Sequence, residues 1–531
     1  MVQFLISIID FYDIQKKGEY YVCFENSDDI NEIQIEDITN INDPIVTFNP
    51  HLLIDNLRLN SVKLPVSIVD ISQIAKLAIG LPNKEFEKFE PWNWGQLVIN
   101  YFEKEEYNQL INLLRQPSKN IENKLFLIKK LVVALKEAYN RLIEKLKSQG
   151  EYSRFFSIEL PISNILYIRQ YKGILVDNGI LENKLSKIDN EIFLIQDKLR
   201  YEHNIYNIQS SAEIIPLLNT FGLNYAAKTL KTKTYQDILR HGAEFNPLLK
   251  LLYSLNRLKQ DKSILLKLTN IEKKIYPMFD PIGTITSRIL IKQPLIQQLR
   301  KNSRNIFQPE PSKIFCYADF GQFEPGILAD KAQDENLISC YNAGDVYEQL
   351  SIKVFGSKDY RKACKIFFLS YIYGMTKTTL NNLLNDYFGS TSSEISSKIE
   401  LFFKEFPGLP IYKNEQEVFL LKNGKIGTAN GNFRYRTRQK EFLYNYEKRW
   451  VLSQKIQGTA SLIFKKALIE LRSFDEIEFL IPMHDAALFQ IPINKQLEYM
   501  EIIEKAFKNA FSNECPSIIP KVNFEDFYND D

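Results

Sequence analysis

The stretch Tyr317-Ala-Asp-Phe-Gly-Gln-Phe-Glu324 constrains the fold of this chain more than any other. Ile314, Phe315 and Tyr317 predict the end of a buried strand, and Asp319 stands where that strand stops. A carboxylate left unpaired in a core is costly, so Asp319 must meet a cation or face a cleft. Taken alone it reads first as a strand-end or capping residue and second as a metal ligand. The choice rests on what the rest of the chain brings to it.

Two distant stretches bring partners. Arg361-Lys-Ala-Cys-Lys365, followed by Tyr373-Gly-Met375, predicts a helix on which Arg361, Lys365, Leu369 and Tyr373 recur every fourth residue as one slowly rotating stripe. Phe479-Leu-Ile-Pro-Met-His-Asp-Ala-Ala-Leu-Phe-Gln-Ile491 predicts two apolar strands joined at His484-Asp485. Separately, these are a salt-bridged surface helix and an ordinary turn. Together, a carboxylate at a strand end, a second at a hairpin tip and a basic helix stripe are the parts of a two-metal phosphoryl-transfer site. Two such carboxylates hold divalent ions about 4 Å apart, and cations receive the incoming phosphates.

In order and spacing the three stretches resemble motifs A, B and C of the A-family DNA polymerases, the bacterial DNA polymerase I type, large-fragment-like. The similarity runs from about residue 155 to the C-terminus. The resemblance implies an α+β or α/β multidomain fold: a right-hand palm, thumb and fingers polymerase preceded by an RNase H-like, 3′–5′ exonuclease-like domain. Residues 1–150 are then the exonuclease-like domain and 151–531 the polymerase domain. The thumb spans about 180–268, the palm about 151–179, 269–348 and 434–531, and the fingers about 349–433.

It also implies roles. Asp319, Asp485 and the backbone carbonyl of Phe320 ligate two Mg²⁺ ions, for which Mn²⁺ can substitute. Arg361 and Lys365 grip the β- and γ-phosphates of a dNTP, and Lys365 protonates the pyrophosphate leaving group. Gln322, Glu324, Leu369 and Tyr373 border the nucleotide, Glu324 as a gate against a ribose 2′-OH and Tyr373 at the template base. A plain surface carboxylate is the alternative for Glu324. Arg288, Arg449, Gln457 and His484 contact primer–template DNA, the arginine suiting the acceptors that every base pair presents in the minor groove.

The thumb is expected as two long helices, Asn183–Glu202 and Pro247–Leu268, with Asn246 as N-cap of the second and Pro247 at its first position. Between them lies the basic segment Lys228-Thr-Leu-Lys-Thr-Lys-Thr234, whose Lys231 and Lys233 suit phosphate contacts. A solvated helix pair with a basic loop is the plainer alternative.

The sequence departs from the family pattern at six places. Gly283-Thr-Ile-Thr-Ser-Arg288 resembles its Thr-Gly-Arg with Ser287 for glycine. Thr428-Ala-Asn-Gly-Asn-Phe-Arg434 resembles Thr-x-x-Gly-Arg-x-Arg with Asn432 for the first arginine. Leu369 replaces an aromatic, Ser370 a glycine, Ser453 an asparagine and Ala486 a glutamate. Both core aspartates survive.

Ahead of these motifs, Val2–Ile9, Tyr20–Phe24, Ile45–Phe48 and Val66–Val69 predict strands and Val132–Leu146 a helix. Proofreading chemistry needs several carboxylates around two metals. Here the first strand ends Ile9-Asp-Phe-Tyr12 with no Asp-x-Glu, Leu53 stands where the active domain has aspartate, and Glu137 has no tyrosine four residues before it. A structural remnant without proofreading is expected.

Composition narrows the surroundings. A net charge of +2 over 531 residues allows a nucleic-acid channel only as a local basic surface. Cys23, Cys316, Cys340, Cys364 and Cys515 form no Cys-x-x-Cys, which predicts reduced thiols and no zinc site. The start lacks a basic leader and reaches Asp10 early, and no apolar run has the length of a membrane span. The expectation is a monomer acting on primer–template DNA and dNTPs in the cytoplasm of a bacterial or phage-infected cell, with an organelle as the alternative. The rival functions are a single-subunit-type RNA polymerase and a non-catalytic primer–template binder.

Overall fold

The computed structural model describes residues 2–10, 12–27, 29–79, 90–115, 123–208, 210–220, 239–240, 243, 246–269, 273–375, 392–438 and 440–528. Lys231 and Lys233 lie outside the described residues. The chain divides into two compact units. One comprises Met1–Lys172, Met278–Leu290 and Ser312–Glu525; the other comprises Gly173–Pro277, Ile291–Pro311 and Asp526–Asp531. The boundary expected at 150/151 falls inside the first unit.

In the first unit, strands β1 (Gln3–Ile8), β2 (Glu19–Phe24), β3 (Ile30–Ile33), β4 (Ile45–Thr47) and β5 (Ile68–Asp70) form a sheet in the order β3-β2-β1-β4-β5. β1 pairs antiparallel with β2, Leu5 opposite Val22, and parallel with β4. Being central, β1 is buried along its whole length. Alternation sends Phe4, Ile6 and Ile8 into one core and Leu5 into another. The first core is roofed by helix α1 (Lys124–Gln149) through Leu131, Leu135, Ala138 and Tyr139, with the Tyr139 ring edge-on to Phe4. This helix extends the expected Val132–Leu146 at both ends. The core continues to Ile282, and Lys76 Nζ reaches Asp280 Oδ2 at 2.5 Å with both side chains buried. The N-terminal sheet is therefore not a separate body: it shares a core with the segment that carries Arg288.

The second sheet of this unit is antiparallel. β6 (Lys313–Phe320) pairs on one side with β11 (Val522–Glu525) and on the other with β10 (Ala486–Pro492), which pairs in turn with β9 (Glu478–Pro482). A separate hairpin is formed by β7 (Lys425–Thr428) and β8 (Gly431–Tyr435). Around them run helices α2 (Leu160–Lys172), α3 (Phe323–Ala332), α4 (Val346–Phe355), α5 (Arg361–Ile372), α6 (Asn445–Leu471) and α7 (Gln496–Glu514). Under the end of β6, Phe320 stacks on Phe323 at 4.2 Å and on Phe507 at 4.6 Å, with Phe511 edge-on to both Phe320 and Phe323. Offset and edge contacts of this kind add to the area the rings bury.

The second unit holds two long helices, Asn178–His203 and Pro247–Leu265. The first begins earlier than Asn183 because Asp177 caps it, accepting from the Ile180 amide at 2.9 Å. The second begins as expected: Asn246 Oδ1 accepts from the amides of Leu248 and Leu249, and Pro247 takes the first helical position. Leu199, Leu248, Leu252 and Leu255 are among the residues that form its core. All five cysteines are free and buried, and no helix among the described residues is long and apolar enough to cross a membrane.

Removing one member of a buried ion pair strands the other, so Lys76→Met is expected to destabilise the chain by about 3–5 kcal/mol, as urea unfolding would report. Pairing it with Asp280→Leu recovers most of that loss.

Candidate active site

The β6/β10 register sets Asp319 opposite Ala486. Asp485 precedes Ala486 in the turn, and the Phe320 amide donates to the Asp485 carbonyl at 3.0 Å, while the Met483 amide closes the turn onto Ala486 at 2.7 Å. Two carboxylates 166 positions apart in sequence thus share one end of the sheet. Both are half-buried, and His484 is exposed beside them.

Asp485 Oδ1 is buried with no hydrogen-bond partner among the described residues, and Arg288 Nη2 stands 3.9 Å away. Burial pushes the Asp485 carboxyl up, while Arg288 and His484 pull it down. Glu324, in the first turn of α3, is only 4% exposed, and its Oε1 accepts from Arg288 Nη2 at 3.0 Å. Burial, and then the Asp485 charge, push Glu324 up to about 7 against the opposing pull of Arg288 and Tyr373. Arg288 and Glu324, expected to face DNA and nucleotide separately, are bonded to each other here.

On α5 the expected stripe is present. Arg361, Lys365 and Tyr373 are exposed and Leu369 half-buried, while Ala363, Cys364, Phe367, Phe368, Tyr371 and Ile372 are buried. Arg361 donates from Nη2 (2.7 Å) and Nε (3.2 Å) to Asp345 Oδ2. Gln322 Nε2 donates to that same oxygen at 2.6 Å and its Oε1 accepts from the Val346 amide, so Gln322 is engaged with the start of α4. The other Asp345 oxygen caps α4 at the Glu348 amide. Sequence reasoning missed Asp345. Its only signal was a capping pattern, Gly344-Asp-x-x-Glu348, which marks a helix start without revealing what else the carboxylate holds.

Arg449 (exposed), Ser453 and Gln457 (half-buried) recur every fourth residue on α6 and so share a face. The end of α5 is seated on that helix. Gly374 has φ 81°, and a Cβ there would lie 2.1 Å from the Arg449 carbonyl oxygen, so no other residue fits without moving one helix. Arg434 lies over the Trp450 ring at 4.2 Å, and burial lowers its guanidinium to about 10.

Among the described residues no three His, Cys, Asp or Glu side chains form a metal-binding group. Asp319 and Asp485 share the sheet end, and Glu324 faces Asp485 across Arg288. Asp485 Oδ1 and Glu324 Oε2, both buried with no hydrogen-bond partner among the described residues, favour a nearby cation.

This is the fold of a polymerase domain. The chain matches the POL domain of Pol1 from M. smegmatis, solved in complex with DNA primer-template and dNTP, at a TM-score of 0.77 and 19% identity, covering 99% of this chain and 95% of that one. The family model for DNA polymerase family A matches residues 178–523, and the chain belongs to that family. Curated relatives include DNA polymerase I of Caldicellulosiruptor bescii, 24% identical over 73% of this chain and 49% of that protein. Another is DNA polymerase theta of Caenorhabditis elegans, 26% identical over 65% of this chain and 22% of that protein. The chain spans at most about half the length of these relatives.

A carboxyl raised from 4.5 to about 7 on folding makes the folded state bind its proton more tightly than the unfolded one. The stability it contributes is complete below pH 4.5 and is lost as pH climbs through about 7. Urea unfolding at pH 4.5 and pH 8 should therefore show the wild type losing roughly 3 kcal/mol relative to Glu324→Gln as pH rises.

Proposed function

We propose that this chain extends a primer 3′-OH with dNTPs in template-directed DNA synthesis. The observation that carries the reading is the register that brings Asp319 and Asp485 to one sheet end beside Arg288. Family membership supports it. So does the structural neighbour, which was solved with primer-template and dNTP.

Asp319, Asp485 and the Phe320 carbonyl are hard oxygen donors, the ligand type that Mg²⁺ takes, and Mn²⁺ suits them too. Two such ions, when bound, supply activation of the attacking hydroxyl and neutralisation of developing charge. The chain's own residues do the rest. Arg361 and Lys365 bind the β- and γ-phosphates, Asp345 orients Arg361, and Lys365 gives its proton to a pyrophosphate oxygen. Leu369 packs on the sugar, Tyr373 meets the template base, and Gln322 and Glu324 border the nucleotide, Glu324 excluding a 2′-OH. That exclusion favours a DNA over an RNA polymerase. Arg288, Arg449, Gln457 and His484 touch primer–template, and Lys231 and Lys233 meet its phosphates.

The thumb, palm and fingers take the ranges given above, and the enzyme works as a monomer in the cytoplasm. Residues 1–150 form an exonuclease-like domain, a reading supported by the sheet order β3-β2-β1-β4-β5 with β2 antiparallel to β1. Loss of proofreading is supported by Asp10, whose Oδ1 makes a local bond to the Tyr12 amide, and by Leu53, buried in an apolar core.

Primer extension with Mg²⁺ tests the reading. Asp319→Ala and Asp485→Ala should each slow extension by roughly 10³-fold or more, the scale of losing one preorganised electrostatic contact. A non-catalytic binder would hold primer–template with no extension to lose, and free use of rNTPs would favour an RNA polymerase. A mismatched 3′ end should persist unexcised.

Leu369→Tyr places a ring against the sugar, and the ratio of deoxy- to dideoxynucleotide incorporation should shift several-fold. An unchanged ratio would remove Leu369 from the nucleotide site.

A further inference from the structure

Ser287 and Asn432 lie 145 positions apart, and each has a left-handed backbone with φ 59°. That conformation is unfavourable for a residue with a Cβ, more so for serine than for asparagine. Both are buried, at 1% and 6% exposure. Ser287 Oγ accepts from Arg154 Nη2 at 2.7 Å and donates to Asn432 Oδ1 at 3.1 Å. A hydroxyl has one proton to give; with Arg154 donating to it, that proton goes to Asn432 and fixes the amide's orientation. Asn432 Nδ2 then has no hydrogen-bond partner among the described residues.

The main chain is tied as firmly. The Ser287 carbonyl accepts from Ser461 Oγ of α6 at 2.6 Å, and the Asn432 carbonyl accepts from Gln454 Nε2 at 3.0 Å. The Asn432 amide donates to Glu151 at 3.2 Å, and Gly431, with φ 105°, leaves room for that carboxylate where a Cβ would sit 2.4 Å from it. Arg154 is held between Glu151 and Glu159, and Glu159 also takes Lys465 Nζ at 2.6 Å. Glu151, Arg154, Glu159 and Lys465 are all more than nine-tenths buried, with two negative and two positive charges.

The joint opens onto the site through one peptide bond, because Ser287 precedes Arg288. The turn is closed by the Gly283 amide on the Arg288 carbonyl (3.0 Å) and by the Ser287 and Arg288 amides on Thr284 (2.8 and 3.0 Å). Its free end is the Arg288 side chain at Glu324 and Asp485.

We propose that Ser287, Asn432 and Arg154 are positioning residues that aim Arg288, and so set how strictly the terminal primer base pair is checked. The inference rests on reading Arg288 as a minor-groove contact. Glycine would adopt both left-handed backbones without strain; the side chains present add directional hydrogen bonds that specify orientation.

Glycine keeps the left-handed backbone and deletes the side-chain bonds, so the test compares Ser287→Gly, Asn432→Gly and the double variant, with urea unfolding alongside. Each single variant should lower kcat/KM on a matched 3′ end by about tenfold and narrow the matched-to-mismatched ratio. Because both break one joint, the double should be no worse than the poorer single, and neither should add to Arg288→Ala. Asn432→Asp retains the accepting oxygen and should keep the wild-type ratio even where a glycine variant folds poorly. Glycine variants that match an active wild type, losses that add in full to Arg288→Ala, or an Asn432→Asp as impaired as Asn432→Gly would each overturn the inference and leave the polymerase reading standing. A wild-type chain that extends no primer removes both.

Discussion

The rest of the site depends on one antiparallel ladder. Between β6 and β10 the pairing runs from Lys313–Pro492 to Asp319–Ala486, and the Phe320 amide on the Asp485 carbonyl extends it into the turn. A slip of one residue would turn Asp319 to the opposite face. The aromatic cluster of Phe320, Phe323, Phe507 and Phe511 works against such a slip, since it packs only when Phe320 faces inward. Register therefore places two like charges together against their mutual repulsion. Burial raises the Asp485 carboxyl, burial and the Asp485 charge raise Glu324, and the Arg288 guanidinium opposes both.

The cationic side is organised by a carboxylate too. Asp345 caps α4, accepts from Gln322 just beyond the acidic strand and accepts from Arg361 on the basic helix. The Arg361 contact is largely exposed, and exposed pairs contribute little to stability, so Asp345 directs the guanidinium more than it anchors the helix. The anchor is the seat of Gly374 on the Arg449 backbone, which couples the end of α5 to α6.

The N-terminal region adds rigidity to the same unit. Its core reaches Ile282, and its Lys76 neutralises Asp280 a few residues before the Arg288 turn. On the other flank of that turn, Arg154 bonds Ser287. The segment carrying Arg288 is thus gripped by residues that precede the family-matched region.

By itself the sequence determined what is local. The six-residue run of β1, the fourfold recurrence along α5, the Asn246-Pro247 cap and the apolar strands around His484-Asp485 all follow from periodicity and side-chain chemistry within a few positions. Motif residues could be named because their order survives in one dimension. Tertiary structure alone decided who meets whom: Arg288 with Glu324, Arg361 with Asp345, Ser287 with Asn432, and Lys465 with Glu159 across 306 positions. Such partners depend on how every intervening element packs, and no local pattern carries that information. A hydrogen bond needs about 3 Å, a tolerance that only the closed fold imposes.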